Sequence, residues 1–181
     1  SKIYEVTNLA AQNSTASDMG AAFFQDGIVF SSNKGNDISI IRTDEWTGNR
    51  FYDMYVVKGD QNGNLYDTKL FKGKQPNRKY HEGPATFTAD FKQVYFTRSN
   101  YVKSKAKKSK ENIVKLKIFH ADYDETSKKW VNIKEVSFCS NEYSVGHPTI
   151  TKDGNKLYFI SDMPGGYGET DVYVSYKDGP N

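Results

Sequence analysis

Cysteine, leucine and long apolar runs are scarce in this chain of 181 residues. Its one cysteine, Cys139, excludes an internal disulfide and a multi-cysteine metal site. Because it ends an apolar run, we expect it to be a small buried side chain. No segment approaches the ~20 apolar residues that span a bilayer as a helix, and the first residues lack the apolar core of a signal peptide. We therefore expect a cytosolic chain or the interior of a longer one.

The sequence also lacks the common catalytic and metal-binding patterns. It contains no Gly-x-Ser-x-Gly elbow, no His-Glu-x-x-His pair and no EF-hand spacing. Its three histidines, His81, His120 and His147, occupy different places in the repeat described below. We therefore expect no catalytic residue, no metal and no cofactor.

A glycine-rich loop near the end of the chain could in principle bind a phosphate or a calcium ion. Gly165, Gly166 and Gly168 could cradle a phosphate, but neither a helix nor a Lys-Ser/Thr pair follows them. The acidic residues Asp162, Glu169 and Asp171 could offer oxygen ligands to Ca²⁺. We expect instead a tight connection between strands, in which Asp171 accepts backbone N–H bonds.

Aromatic residues are abundant, with 13 tyrosines and 11 phenylalanines. Runs rich in these residues, broken by Gly, Asn and Asp, favour a β protein. The pattern is plainest over residues 140–176, where Asp153-Gly154 separates two alternating apolar runs. Such a dipeptide favours a hairpin, so this stretch predicts three antiparallel strands.

The same pattern recurs along the chain. Gly83 and Gly146, Asp90 and Asp153, and Phe96 and Phe159 are each 63 residues apart. Gly20 lies another 63 residues back, and there a hairpin shorter by three residues aligns Phe30 with Phe96. The residues that we expect to form the turns of the repeat are Gly20, Gly83, Pro84, Gly146, His147, Pro148, Asp153, Gly154, Gly165, Gly166, Gly168 and Asp171.

Each copy predicts four antiparallel strands, which is the pattern of a β-propeller blade. We place blades at residues 17–73 and 80–138, an incomplete blade at 144–181, and the outer strand of a preceding blade at 1–12. The predicted fold is therefore all-β, a partial β-propeller of two complete blades and parts of two others.

Two long connections, Asn33–Tyr52 and Asn100–Val114, join second and third strands and should emerge on one rim. The second is rich in lysine, although the net charge of the chain is only +3. We expect a solvated, mobile loop, or one that contacts an acidic partner, anionic lipid headgroups or acidic wall polymer. Without arginine or interleaved aromatic residues it does not predict nucleic-acid binding. The candidate partner-binding residues are Trp46, Tyr101, Lys103, Lys105, Lys107, Lys108 and Lys110.

The repeat resembles the TolB-type, WD-like propeller repeat of Bacteroidetes OmpA-family proteins associated with the outer membrane. The phrases that carry the resemblance are Tyr80–Pro84, Val94–Arg98, Tyr143–Pro148 and, above all, Leu157–Gly168 followed by Thr170–Tyr173. The resemblance implies a periplasmic protein that pairs with an outer-membrane barrel of the PorP/SprF type, in type IX secretion or gliding. It also implies that peptidoglycan is bound only through a domain absent from these residues.

These observations lead us to expect a non-catalytic interaction scaffold that links an outer-membrane or secretion complex to the cell wall. The alternative is a propeller hydrolase or carbohydrate-active enzyme, with acidic residues converging on a central channel from blades outside this sequence. The first strands here are apolar or hydroxylated around residues 21–23, 85–87 and 149–151, which argues against that alternative.

Overall fold

The computed structural model describes residues 3–35, 43, 48–71, 81–102 and 105–177, and these residues form strands and loops. The first seven strands are β1 (Asp18–Phe24), β2 (Gly27–Ser32), β3 (Asp53–Gly59), β4 (Leu65–Leu70), β5 (Glu82–Phe87), β6 (Gln93–Ser99) and β7 (Tyr101–Val102). The others are β8 (Lys105–Ala106), β9 (Leu116–Asp124), β10 (Lys129–Glu135), β11 (Val145–Ile150), β12 (Lys156–Ser161) and β13 (Asp171–Tyr176). The predicted all-β class is confirmed.

The strands form three antiparallel sheets in chain order. The first sheet runs β1-β2-β3-β4, the second runs β5-β6-β9-β10, and the third runs β11-β12-β13. Strands β7 and β8 pair with each other inside the long β6–β9 connection. Alternating apolar residues cause this arrangement, since each sheet turns one set of side chains toward a neighbouring sheet.

A stacked aromatic pair marks the same place in every sheet. Phe30 stacks on Tyr55, with ring centroids 5.9 Å apart, in the first sheet. In the second sheet Phe96 stacks on Phe119 at 6.1 Å. The third sheet carries Phe159 on Tyr173 at 5.8 Å. The alignment of Phe30, Phe96 and Phe159 by sequence therefore corresponds to one structural position.

Two apolar clusters hold the sheets together face to face. The first and second sheets meet around Val29, Met54, Phe71, Phe96 and Trp130, which are all buried. The second and third meet around Ile118, Val145 and Phe159. Strand β5 contacts both β1 and β11, so the first strands of the three sheets run beside one another.

The glycines interpreted as turns before the first strand lie inside that strand instead. The pairing register shifts between Met19 and Ala22, between Glu82 and Ala85, and between Gly146 and Thr149. Gly20, Gly83 with Pro84, and Gly146 with His147 and Pro148 occupy these three irregularities. They are therefore β-bulges, each of which bends a first strand.

Close packing explains the glycine in the second of these bulges. Gly83 has a φ of 94°, and a Cβ there would lie 1.8 Å from Oγ of Ser31 on the first sheet. In the third sheet the N–H of His147 donates to Oγ1 of Thr97 at 2.9 Å. The bulges in β5 and β11 thus bring these two first strands against the preceding sheet.

The outer strand predicted over residues 1–12 is not formed in the described part of that range, 3–12. A strand needs a neighbouring strand to take its N–H and C=O groups, and residues 4–9 lie in no sheet. The side chain amide of Gln12 donates to O of Leu65 at 2.8 Å, which holds the end of this segment on the first sheet.

Among the described residues, no helix is long and apolar enough to cross a membrane.

Candidate interaction surface

The connections between second and third strands reach one edge of the stacked sheets, together with the β10–β11 connection. We call this edge the long-loop rim and define it by the described residues 33–35, 43, 48–52, 100–102, 105–115, 136–144 and 162–170. Trp46 and Lys103, two of the candidate binding residues, lie outside the described residues. The β6–β9 connection over residues 100–115 is the best described part of the rim.

Backbone hydrogen bonds shape this connection. The N–H of Asn100 donates to O of Lys115 at 3.0 Å, and the N–H of Lys107 donates to O of Asn100 at 2.8 Å. A turn follows in which the N–H of Ser109 donates to O of Ile113 at 2.8 Å. These bonds close the base of the loop and give its tip a defined turn.

The third sheet anchors the same connection. Nζ of Lys115 lies 3.0 Å from Oδ2 of Asp162, the first residue after β12. The N–H of Lys110 donates to Oε2 of Glu142 at 3.2 Å. The amide of Asn100 donates to Oδ1 of Asn141 at 2.8 Å. The described part of the loop is therefore bonded to two neighbouring connections.

Asp162 is the centre of this anchor. Its carboxylate also accepts the N–H of Ser144, at the start of β11. Burial alone would raise the pKa of Asp162, but the hydrogen bonds from Lys115 and Ser144 lower it further than burial raises it. Asp162 therefore stays ionised at neutral pH and binds groups of the chain itself, rather than being free to bind Ca²⁺.

Lysine side chains cover the outer surface of the loop. Lys105, Lys107, Lys108 and Lys110 are exposed, and Tyr101 is half-buried beside them. Large apolar side chains lie on the same loop, since Val102 and Ile113 are each nearly half exposed. The loop thus presents positive charge together with apolar area, a mixture that suits a protein surface.

Two lysines of the same sequence run point inward instead. Lys117 is buried, with its Nζ 2.6 Å from Oε1 of Glu135 on β10. Lys115 is committed to Asp162. The positive charge of the segment is therefore smaller at the surface than the lysine count suggests.

The predicted hairpin turns lie on the opposite edge, which we call the hairpin rim and define by residues 25–26, 60–64, 88–92, 125–129 and 151–155. Oδ1 of Asp153 accepts the hydroxyl of Thr151 and the N–H of Asn155, the latter at 3.1 Å. Asp90 makes the same pair of contacts, with Thr88 at 2.7 Å and the N–H of Lys92 at 3.0 Å. Gly154 has a φ of 72°, which favours glycine. These residues fix the hairpin turns, and Asp90, Asp153 and Gly154 line one open cleft at this rim.

Asp171 holds the glycine-rich loop as expected. Its Oδ2 accepts the N–H groups of Tyr167 and Gly168 at 2.8 Å and 3.0 Å. A Cβ at Gly166 would lie 2.1 Å from that same oxygen, so a side chain has no room there. The backbone N–H groups that could hold a phosphate thus bind a carboxylate of the chain. Gly165 and Gly168 are part of the connection between β12 and β13.

A buried ion pair on the second sheet was missed by the sequence analysis. Nε of Arg98 lies 2.9 Å from Oε1 of Glu82, and both side chains are almost fully buried. The guanidinium also lies over the rings of Phe96 and Phe119, at 5.0 Å and 4.8 Å. One feature of the sequence could have indicated this pair. Arg98 ends the largely apolar strand segment Val94–Arg98, and a charged residue that is buried in such a strand needs a partner.

Glu82 also bears on the enzyme alternative, because β5 is a first strand. A hydrolase would use carboxylates that face a central channel, whereas this one is paired with Arg98 inside the sheet stack. Among the described residues, no group of three His, Cys, Asp or Glu side chains could hold a metal ion. The histidines lie apart, with His81 bonded to the N–H of Tyr52 at 3.3 Å and His147 exposed on β11.

Cys139 lies between the second and third sheets. The N–H of Ile118 points to its Sγ at 3.4 Å, and Sγ lies 3.7 Å from O of the same residue. Burial raises the pKa of the thiol to about 11. A thiol in this state is a weak nucleophile, which fits a packing role.

No protein-family model matches the chain, and no curated protein matches it either.

Proposed function

We propose that this chain is part of a β-propeller that serves as a non-catalytic protein-interaction scaffold, with the long-loop rim as its docking surface. Three observations support the propeller arrangement. Consecutive antiparallel sheets pack face to face, their first strands run side by side, and one aromatic pair recurs in each sheet. Propellers are built by such radial repetition of four-stranded sheets.

The docking role rests on one observation, which is the anchored lysine loop. Its base is bonded to Asp162, Glu142 and Asn141, while its lysines are exposed. Loops held on a rigid scaffold commonly carry binding residues. A loop that is already ordered loses less conformational entropy when it binds.

The chemistry of the loop selects the partner. Exposed lysines attract carboxylates, and the exposed Val102 and Ile113 add apolar area that an acidic polymer would not use. We therefore propose an acidic protein surface with apolar residues at its centre. The resemblance of the repeat supports placing this partner in the periplasm, as an outer-membrane barrel of the PorP/SprF type or another envelope protein, with peptidoglycan bound by a separate domain.

Two variants, each of which loses four positive charges, test the docking surface. The first replaces Lys105, Lys107, Lys108 and Lys110 by Gln on the long-loop rim. The second replaces Lys92, Lys128, Lys129 and Lys152 by Gln on the hairpin rim, where all four are exposed. Each is expressed in the source cell and purified under mild conditions, and its co-purifying proteins are quantified against the unchanged chain.

We expect the first variant to lose its main envelope partner and the second to retain it. Equal loss from both variants would mean that the partner responds only to net charge. Retention by both would place the docking surface elsewhere. Either result would contradict the proposed role of the rim.

A further inference from the structure

A cleft of about 380 Å³ separates the outer parts of the second and third sheets. Its walls include Val136 just after β10, Ile150 at the end of β11, and Ser175 on β13. The matching space between the first and second sheets is filled by Trp130, which is 2% exposed. The ring of Trp130 packs against those of Phe71, Phe87 and Tyr123.

The walls of the cleft are the structural counterparts of the residues around Trp130. Phe71 donates its N–H to O of Met54, and Val136 donates its N–H to O of Ile118 in the same position. The remaining counterparts follow from the strand registers. They are Phe87 with Ile150, Val94 with Leu157, and Ala121 with Ser175. The cleft is therefore the place where a fourth strand of the third sheet would put its large apolar side chain.

The third sheet also offers the edge that such a strand would join. Among the described residues, β13 pairs on one side only, with β12. The N–H of Lys177 donates to O of Asn155, so by the period of two the N–H groups of Val172, Val174 and Tyr176 point to the open edge. An open edge of this kind accepts an added strand.

The face of the third sheet is exposed in the same way. Val172 is 74% exposed, whereas its counterparts Met54 and Ile118 are fully buried by the next sheet. The pairing of Ser31 with Met54, Thr97 with Ile118, and Ile160 with Val172 establishes this correspondence. The face therefore has the character of an interface between sheets.

A segment of this chain has the right sequence position to fill the cleft. Phe71 lies 12 residues before Gly83, Val136 lies 10 before Gly146, and Leu9 lies 11 before Gly20. Leu9 already lies against the first sheet, where it lines a small pocket with Ile28 and Phe30. It occupies the place of Phe71 and Val136 in its own unit.

Six positions before Phe71, Val136 and Leu9 lie Leu65, Trp130 and Ile3, respectively. Ile3 is therefore the counterpart of Trp130. Ile3 is 82% exposed and Val6 is 95% exposed. Val6 corresponds to Ile133, which packs against the cluster between the first and second sheets. Residues 3–9 thus have the apolar pattern of an outer strand, but no sheet lies beside them among the described residues.

We propose that residues 3–9 of one copy of this chain add to β13 of a second copy as the fourth strand of its third sheet. Ile3 fills the cleft, and the exposed face of that sheet packs on the first sheet of the donor. The exchange is reciprocal, so it closes as a two-fold dimer. The inference rests on the proposed propeller, because the three sheets of each copy would then form one ring within the ~4–8 blades of such folds.

Sedimentation equilibrium of the 181-residue chain tests the proposal. We expect a species of twice the 20.6 kDa of one chain. Ile3→Asp puts a charge into the cleft, and we expect it to raise the dimer dissociation constant at least ~100-fold. Val172→Asp should do the same from the receiving sheet. Tyr4→Asp is the matched control, because its counterpart Tyr66 is half exposed, and we expect less than a ~3-fold change.

Mixing the two disruptive variants gives a second test. Each variant alone has two damaged junctions, whereas a mixed pair has one intact junction and one damaged twice. We therefore expect a dimer in the mixture and monomers in the separate solutions. Circular dichroism and urea unfolding establish that each variant is folded, and Ile3→Ser replaces Ile3→Asp if the latter is not.

A monomeric unchanged chain, or a dimer that Ile3→Asp leaves intact, would overturn the proposal. X-ray scattering of the same samples separates this failure from failure of the propeller itself. If the monomer's curve fits three sheets stacked as described, only the dimer is wrong. If it does not, the propeller is wrong as well.

Discussion

Nζ of Lys115 lies 3.0 Å from Oδ2 of Asp162, and this contact joins the long loop of the second sheet to the first residue after β12 of the third. The lysine side chain is 13% exposed and the aspartate 32%, so solvent screens the pair only in part. The contact sets the position of the loop that we propose as a docking surface. Its loss should therefore change the loop before it changes the core.

A double-mutant cycle with Lys115→Met and Asp162→Asn measures this contact. We expect a coupling free energy of about 1 kcal/mol, since the pair is partly buried. Hydrogen exchange should rise in residues 105–115 for either variant and stay unchanged in β2. A coupling of zero with unchanged exchange would show that the loop is held by its other bonds alone.

The buried pair of Glu82 and Arg98 should be far more costly to break. Glu82→Leu leaves a buried guanidinium without this carboxylate, and we expect a loss of ~3–5 kcal/mol in the free energy of unfolding. The double variant Glu82→Leu with Arg98→Met should lose less, because no charge remains buried. Urea unfolding measures the free energy of unfolding of both variants. A double variant less stable than Glu82→Leu alone would contradict the account.

Asp53, at the start of β3, should make stability depend on pH. Burial raises the pKa of its carboxyl to about 6, above the ~3.9 of an unfolded chain. Between these values the folded state keeps the proton that the unfolded state releases, so the free energy of unfolding falls as pH rises. After allowance for partial exposure the fall should be on the order of 1–2 kcal/mol, and it levels off about one pH unit above the folded-state pKa of about 6.

Asp53→Asn should remove this fall, which is measured by urea unfolding at several pH values. Asp153→Asn is the control of opposite sign. The hydroxyl of Thr151 and the N–H of Asn155 lower the pKa of Asp153, so its contribution is lost as pH falls toward acid. If the free energy of unfolding of the Asp53→Asn variant depends on pH as it does for the unchanged chain, the carboxyl of Asp53 is solvated and the account is wrong.

Trp130 should be the most costly aromatic side chain between the first two sheets. Trp130→Ala would open a cavity among Phe71, Phe87 and Tyr123, and we expect a loss of ~3–5 kcal/mol. Tyr167 is fully exposed on the glycine-rich loop, so Tyr167→Ala should change stability by less than ~0.5 kcal/mol. Thermal and urea unfolding compare the two, and a Trp130→Ala loss as small as that of Tyr167→Ala would disprove the packed junction.

Local patterns predicted most of the strands and the hairpin turns. Alternating aromatic residues and the Asp153-Gly154 turn act within a few residues, so the sequence alone determines them. The aromatic position shared by Phe30, Phe96 and Phe159 could also be found from the repeat. It reflects the same side-chain environment in three copies.

Features that depend on a neighbouring sheet could not be predicted. Gly83 was assigned to a turn, because nothing local shows that Ser31 of another sheet approaches it. Nothing local shows that Lys115 and Lys117 are paired, and only the positions of Asp162 and Glu135 reveal it. No strand is formed over residues 3–12, the described part of the predicted outer strand, because a strand needs its partner.

The most direct test of the account is photo-crosslinking in the source cell. A photoreactive amino acid replaces Lys107 on the long-loop rim in one variant and Lys128 on the hairpin rim in another, and both positions are exposed. We expect position 107 to give a discrete adduct with an envelope protein and position 128 to give none. An adduct only from position 128, or none from either, would contradict docking through the long-loop rim.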